Sequence, residues 1–115
     1  MEVIAEGVLA RWFRAPYMVQ GSEELDQVRK VLLSTSPEGY VEACAAVRDM
    51  DQRDSVKQIN VPTLVIVGIG DLATPPSDGQ YLAEQIQGAR YVELEGAHLS
   101  NIEASGNLQR NWWSF

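Results

Sequence analysis

The chain has 115 residues, with nine basic and sixteen acidic side chains, and its formal net charge is −7. This length suits one ordinary domain, and 45% hydrophobic with 22% charged residues is the balance of a soluble globular protein. The acidic excess argues against a surface for nucleic acid or an anionic membrane, because no basic patch or stripe is present. No apolar run approaches the ~20 residues of a membrane span.

Two scarce residue types and the N-terminus restrict the setting further. The single Cys44 excludes an internal disulfide and a cysteine metal site, and the lone His98 excludes any site that needs two imidazoles. Residues 1–10 carry two acids and no base, which is unlike a secretory signal. We therefore expect a reduced, cytoplasmic setting and no metal.

The first half of the chain is predicted to be helical. Apolar residues recur at a spacing compatible with a helix over residues 1–13, and Pro16 is expected to end that helix. Ser22 is expected to cap a second helix and Ser36 a third. The apolar positions assigned to the inner side of the third helix are Tyr40, Val41, Cys44, Ala45 and Val47.

The pattern then changes to alternating strands and helices. The run 63–67 (Thr-Leu-Val-Ile-Val) shows no polar alternation, which is typical of a strand buried on both faces of a parallel sheet. A helix is predicted over 75–87, with Thr74 as its cap, followed by a strand over 90–94. Such a strand, helix and strand form a βαβ unit.

A terminal helix is predicted from about residue 101 to 113, so the chain divides into a helical segment, 1–54, and an α/β segment, 55–115. Two strands cannot complete a parallel sheet, and the apolar run 63–67 leaves an exposed edge that templates further pairing. We expect the chain to be incomplete or to borrow strands from another copy as a homo-oligomer.

Asp71 and His98 are the residues that could carry chemistry. Each follows a predicted strand, and neighbouring parallel strands bring such loops to the same end of the sheet. A carboxylate that accepts the imidazole N–H fixes its tautomer and stabilises the imidazolium that forms when histidine acts as a base. The order, acid before histidine, is that of α/β-hydrolases, in which the nucleophilic serine comes earlier still.

This pair lies among motifs that extend over nearly the whole chain. They are Glu6-Gly-Val-Leu-Ala-Arg-Trp-Phe13, Pro37-Glu-Gly-Tyr40, Cys44-Ala-Ala-Val-Arg-Asp-Met-Asp51, Gly68-x-x-Asp71-x-x-Thr74-Pro75-Pro76 and Ala97-His98-Leu-Ser-Asn-Ile-Glu103. Their combination resembles the 3-oxoadipate enol-lactonases, α/β-hydrolases of the β-ketoadipate branch of aromatic catabolism.

The resemblance implies an α/β chain with part of an α/β-hydrolase fold. Segment 1–54 would be the helical lid, and segment 55–115 the β-α-β-α end of the hydrolase core. Asp71 and His98 would be the catalytic acid and histidine. The family hydrolyses a lactone ester through an acyl-enzyme on serine and needs no cofactor, so the expected partner is a small lactone or ester.

The sequence departs from the family in one respect that bears directly on activity: Gly-x-Ser-x-Gly occurs nowhere. We therefore expect the nucleophile and the oxyanion hole to lie outside this chain, and the chain alone to be inactive. Arg11 and Trp12, in the lid segment, could bind a substrate carboxylate, although a solvated arginine is the commoner case.

Several other interpretations of these residues are open. Asp71 can serve only its own turn, and His98 can be an ordinary core histidine. Residues 68–73 match the dinucleotide-binding pattern G-x-G-x-x-A, although the acidic side chain inside the pattern and the prolines after it argue against that function. A further hypothesis is a non-catalytic, oligomeric remnant of a hydrolase.

Overall fold

A computed structural model describes residues 1–113 of the chain. Its elements, in chain order, are α1 (Glu2–Trp12), α2 (Ala15–Gln20), α3 (Glu23–Ser34), α4 (Pro37–Asp49), a 3-10 turn (Ser55–Gln58), β1 (Leu64–Gly68), α5 (Pro76–Gln85), β2 (Arg90–Leu94), α6 (Ser100–Glu103) and α7 (Ser105–Trp113). Residues 114 and 115, which belong to the predicted segment 55–115, lie outside the described residues.

Two of the predicted helix caps are confirmed. The Ser22 hydroxyl accepts a hydrogen bond from the Leu25 amide at 3.0 Å, and the Ser36 hydroxyl accepts one from the Gly39 amide at 3.2 Å. Each bond satisfies an amide that has no partner inside its helix. The short helix α2 was not predicted, and Pro16 lies in its first turn, where a proline is tolerated.

The helical segment packs around a small apolar core. Its buried members come from α1, from the residue just after it and from α3, and they are Ala5, Leu9, Phe13, Leu25 and Leu32. Tyr40 of α4 packs against this core, but no residue of α4 is buried.

The predicted inner side of α4 is therefore wrong for most of its members. Val41 and Val47 are 65% and 66% exposed, and Cys44 is exposed as well. Helical periodicity predicts which side chains share a face of a helix, but it does not predict whether another element covers that face.

Strands β1 and β2 pair in parallel, with Leu64 opposite Arg90 and Gly68 opposite Leu94. The predicted βαβ unit is thereby confirmed, with α5 as its crossover. Helix α5 lies close against β1 at Gly79, where any Cβ would overlap the Val67 side chain.

The expectation that the first strand is buried on both faces is wrong for this chain. Only Gly68 of β1 is buried, and its other residues are half-buried. The sheet within residues 1–113 has just two strands, so one edge of β1 has no strand beside it. The described residues therefore leave part of the apolar surface of β1 uncovered.

The end of the chain joins the two segments. Leu99 and Ile102 pack against the helical core, and the Leu99 amide donates a hydrogen bond to the Trp12 carbonyl at 3.0 Å. The predicted terminal helix is two helices, α6 and α7, separated at Ala104, whose backbone leaves the helical conformation. None of the helices in residues 1–113 has the length and hydropathy of a membrane span.

Candidate active site

The loop that follows β1 holds Asp71 in a fixed turn. The Asp71 amide donates to the Gly68 carbonyl at 3.1 Å. Its Oδ1 atom accepts hydrogen bonds from the amides of Ala73 and Thr74 at 2.8 and 2.9 Å. The residue is buried, with 8% of its surface exposed. The carboxylate is thus anchored by its own loop, as a short acidic side chain favours in turns.

The loop that follows β2 brings His98 to this carboxylate. His98 Nδ1 lies 2.9 Å from Asp71 Oδ2, so the predicted meeting of the two side chains is confirmed. The neighbouring Ala97 is buried, and its carbonyl lies so close to Gly68 that a Cβ at position 68 would overlap it. Glycine at the end of β1 therefore allows the two loops to approach each other.

Thr74 completes this arrangement, a role that its sequence context did not predict. The Thr74 hydroxyl lies 2.9 Å from Asp71 Oδ2 and 3.2 Å from His98 Nδ1. Thr74 was predicted to cap the helix, but α5 begins at Pro76 after Pro75, and no side chain caps it. The hydroxyl can donate to only one acceptor, and an ionised carboxylate is the stronger one.

Electrostatics determine which atom of the pair carries the proton. Burial raises the pKa of Asp71, but hydrogen bonds from the Thr74 amide, His98, the Thr74 hydroxyl and the Ala73 amide outweigh it, so the pKa lies below its ordinary value. Asp71 is therefore ionised at neutral pH and can only accept hydrogen bonds. In the neutral form of the imidazole, the proton between the two residues therefore lies on Nδ1, and the lone pair lies on Nε2.

Nε2 is available for chemistry. It has no hydrogen-bond partner among the described residues, and the His98 side chain is 35% exposed. An imidazole with an oriented Nδ1–H and a free Nε2 is the arrangement of a general base. The structure thus combines a buried acid with a histidine that a reacting group can reach.

Arg11 and Trp12 lie at the end of α1. Both line an open cavity of about 470 Å³, whose wall also includes Val8, Tyr40, Ala43, Cys44, Val47, Arg48 and Ala73. The Trp12 ring lies 6.3 Å from the His98 ring, centroid to centroid. Arg11 is exposed and has no hydrogen bond or ion pair with any described residue. The structure therefore brings Trp12 to the pair and leaves Arg11 on the cavity wall.

A second cavity, of about 310 Å³, leads from the pair along β1. Four consecutive residues of β1 line it, together with Asp71, Thr74, His98, Ser100 and three residues of α5. Side chains alternate between the faces of a strand, so a cavity that touches four successive residues follows the strand edge. His98 and the unpaired edge of β1 thus border the same space.

The remaining candidate ligands find little support. Among the described residues, no group of three or more histidine, cysteine, aspartate and glutamate side chains could hold a metal ion. The G-x-G-x-x-A pattern needs a helix that begins at its second glycine, yet α5 begins at Pro76. Asp71 also brings negative charge to the place where a pyrophosphate would lie.

Comparison with known proteins finds individual enzymes that are similar to this chain in sequence and in structure. No family model matches the chain. It is 35% identical over 100 residues to 3-oxoadipate enol-lactonase 2 of Acinetobacter baylyi, covering 87% of this chain and 38% of that protein. The enol-lactonase from Burkholderia xenovorans LB400 superimposes with a TM-score of 0.94 at 42% identity. A hydrolase from Pseudomonas aeruginosa PA01 superimposes with a TM-score of 0.91 at 36% identity.

Both solved structures match 99% of this chain, which spans 44% and 43% of their length. The chain is thus a part of the α/β-hydrolase fold, with the acid and the histidine at the ends of neighbouring strands. Within that class it is similar to the 3-oxoadipate enol-lactonases, and the resemblance inferred from the sequence is confirmed.

Proposed function

We propose that this chain supplies the acid, Asp71, and the general base, His98, of a site that hydrolyses a small lactone or ester. The observation that carries the proposal is the 2.9 Å contact between His98 Nδ1 and the buried Asp71 carboxylate, with Nε2 left free. The names of the similar proteins support the same reaction class. In this proposal the nucleophilic serine and the oxyanion hole are supplied by a separate stretch of polypeptide, since Gly-x-Ser-x-Gly does not occur in residues 1–115.

The chemistry of such a site follows from the protonation of the pair. His98 Nε2 takes the proton of the serine hydroxyl while the serine oxygen attacks the ester carbonyl. The imidazolium that forms is stabilised by Asp71 and returns its proton to the leaving oxygen, so the ester bond breaks and an acyl-enzyme remains. Water then attacks the acyl group, again with His98 as the base, which releases the acid and restores the serine.

The cavity beside Arg11 supports a more specific substrate. Its wall is mainly apolar and aromatic, and the Arg11 guanidinium has no partner among the described residues. A planar guanidinium binds a carboxylate through two parallel hydrogen bonds. We propose that the substrate carries a free carboxylate that contacts Arg11 while its ester lies near Trp12 and His98.

Reconstitution tests the proposal directly. The chain is mixed with the part of the Burkholderia xenovorans enol-lactonase that it does not match, and hydrolysis of an enol-lactone is followed. We expect activity in the mixture and none in either component alone. The control is H98A, which keeps the strands that would pair. A mixture that is equally active with H98A would contradict the proposal, as would a folded complex with no activity.

A second candidate, a non-catalytic oligomer, is favoured by the unpaired edge of β1. Strand 63–67 of one copy would then pair with the same strand of another copy. This pairing covers the unpaired edge in both copies and requires no nucleophile. Size-exclusion chromatography at micromolar concentration distinguishes the candidates, because this one requires a dimer or larger species. A single monomeric peak would eliminate it.

A further inference from the structure

Glu103 is a buried carboxylate that the proposed reaction does not use. Only 1% of its side chain is exposed. Its Oε1 atom accepts a hydrogen bond from Arg14 Nε at 2.9 Å, and its Oε2 atom accepts one from the Ala97 amide at 2.9 Å. A buried charge is stable only when it is paired and hydrogen-bonded, and here both conditions are met.

Arg14 also contacts the loop before His98 directly. Its second guanidinium nitrogen donates to the Glu95 carbonyl at 3.0 Å. Between these contacts, the Gly96 carbonyl accepts from the Gly70 amide, next to Asp71, at 2.9 Å. Glu95, Gly96 and Ala97 are therefore each tied by one hydrogen bond, and Arg14 accounts for two of the three, one directly and one through Glu103.

The residue that follows His98 is held by the same part of the helical segment. The Leu99 amide donates to the carbonyl of Trp12, two residues before Arg14. The backbone on both sides of His98 is thus attached to the end of α1 and the residues that follow it. The direction in which the imidazole leaves the backbone depends on these attachments, because among residues 1–113 its ring nitrogens lie within hydrogen-bonding distance of Asp71 and Thr74 alone.

We propose that the Arg14–Glu103 ion pair is a positioning device that aims His98 Nδ1 at Asp71 and so selects the tautomer with a free Nε2. Its value for hydrolysis rests on the proposed function, whereas its effect on the ring does not. Arginine suits this task because its fork reaches a carboxylate and a carbonyl at the same time, whereas lysine presents a single ammonium.

His98 makes the test simple, because it is the only histidine of the chain. Ring ¹⁵N chemical shifts, measured on the 115-residue chain at alkaline pH where imidazoles are neutral, give the ratio of the Nδ1–H and Nε2–H tautomers. The variant D71N serves as a reference, because it gives the tautomer ratio of His98 in the absence of the carboxylate. We expect R14M to lower the ratio of the Nδ1–H to the Nε2–H tautomer about tenfold, to a value near that of D71N. The physical reason is that the hydrogen bond to an ionised acceptor is lost.

The matched control is R29M. Arg29 makes ion pairs of 2.8 Å with Glu6 and Asp26 on the helical segment, and among residues 1–113 it has no hydrogen bond or ion pair with the His98 loop. We expect R29M to leave the tautomer ratio within about twofold of the wild type. If the pair has only a structural role, R14M lowers the unfolding temperature and leaves the ratio unchanged, which overturns the proposal.

If circular dichroism shows that R14M does not fold, a second variant, R14K, tests the proposal instead. R14K keeps a positive charge beside the buried Glu103 and loses the fork that also binds the Glu95 carbonyl. We expect a ratio between those of the wild type and D71N, and a wild-type ratio would overturn the proposal. The tautomer is measured without a nucleophile, so failure here is separate from an inactive reconstituted enzyme, which would count against the proposed function.

Discussion

Asp71 lies only three positions beyond the end of β1, yet the two are surrounded very differently. Both carboxylate oxygens of Asp71 accept hydrogen bonds, and the residue is buried. The residues of β1 before Gly68 are half-buried, and one edge of the strand has no neighbour among residues 1–113. The loops that hold the acid and the histidine are therefore complete within this chain, whereas the sheet that carries them is not.

This difference separates two tasks of a hydrolase. Proton transfer needs two side chains in a fixed relation, and short hydrogen bonds inside two loops achieve that relation. Covalent catalysis and substrate enclosure need further strands and a nucleophile, for which the edge of β1 and the open cavities leave room. If the two tasks are independent, substitutions in the Asp71–His98 pair lower turnover without weakening association, and substitutions at the free edge of β1 do the reverse.

The largest effect is expected for D71N in the reconstituted enzyme. An amide no longer selects the tautomer of His98, and the equivalent change in a Ser-His-Asp protease lowers the turnover about 10,000-fold. We expect a similar loss in kcat with little change in the amount of complex formed. D49N, a substitution of an exposed acid paired with Arg48, is the control. A loss below tenfold for D71N would show that the carboxylate has no role in the reaction.

The unpaired edge of β1 is tested by a proline. The Thr63 carbonyl and the Ile69 amide bond to the β2 side, so the alternation of a strand places the Ile66 amide on the other edge. I66P removes that amide without touching the β1–β2 ladder, since prolines are tolerated on edges. We expect association with the complementary polypeptide to weaken about tenfold.

Val65, whose amide faces β2, provides a control with the opposite expected result. V65P removes an amide that faces β2 and should destabilise the isolated chain, as followed by circular dichroism during thermal unfolding. I66P should leave the unfolding temperature and the His98 tautomer nearly unchanged. If I66P and wild type associate equally well, the free edge of β1 is not where the complementary polypeptide binds.

Arg11 is expected to affect binding more than turnover. For an ester that carries a free carboxylate, R11M should raise KM of the reconstituted enzyme about tenfold, because a charge-assisted hydrogen bond is lost. The neutral methyl ester of the same compound should bind equally well to both enzymes. Arg48, which lines the same cavity but is bonded to Asp49, supplies the control R48M. An unchanged KM for the charged ester would remove Arg11 from the site.

The smallest effect concerns stability and pH. The pKa of Asp71 is lower in the folded chain than in an unfolded one, so its ionisation stabilises the fold above the ordinary aspartate pKa of about 3.9. That contribution is lost as the pH falls through the folded value. We expect urea unfolding to show wild type more stable than D71N at pH 7 and the difference to shrink below about pH 4. A difference that is constant with pH would contradict the assigned shift.

The comparison also shows which parts of the site a sequence can reveal. Asp71 and His98 could be placed together because each follows a strand, and the ends of adjacent parallel strands meet. Thr74 was assigned to a different task, because a threonine before a proline is also the signal of a helix cap. The contact between Arg14 and Glu103 was missed because the two residues are 89 positions apart. Glu103 ends the 97–103 motif, but that motif does not indicate which distant residue the carboxylate contacts.

Local order in this protein was determined by the sequence itself. Short-range rules of backbone and side-chain bonding account for the caps at Ser22 and Ser36, for the βαβ unit, and for the placement of the acid and the histidine in facing loops. Tertiary structure alone decided that α4 leaves its apolar side exposed, that β1 is only half-buried, and that Arg14 and Glu103 hold the histidine loop. The physical reason is that burial and buried ion pairs depend on which distant elements come together, and no local pattern encodes that.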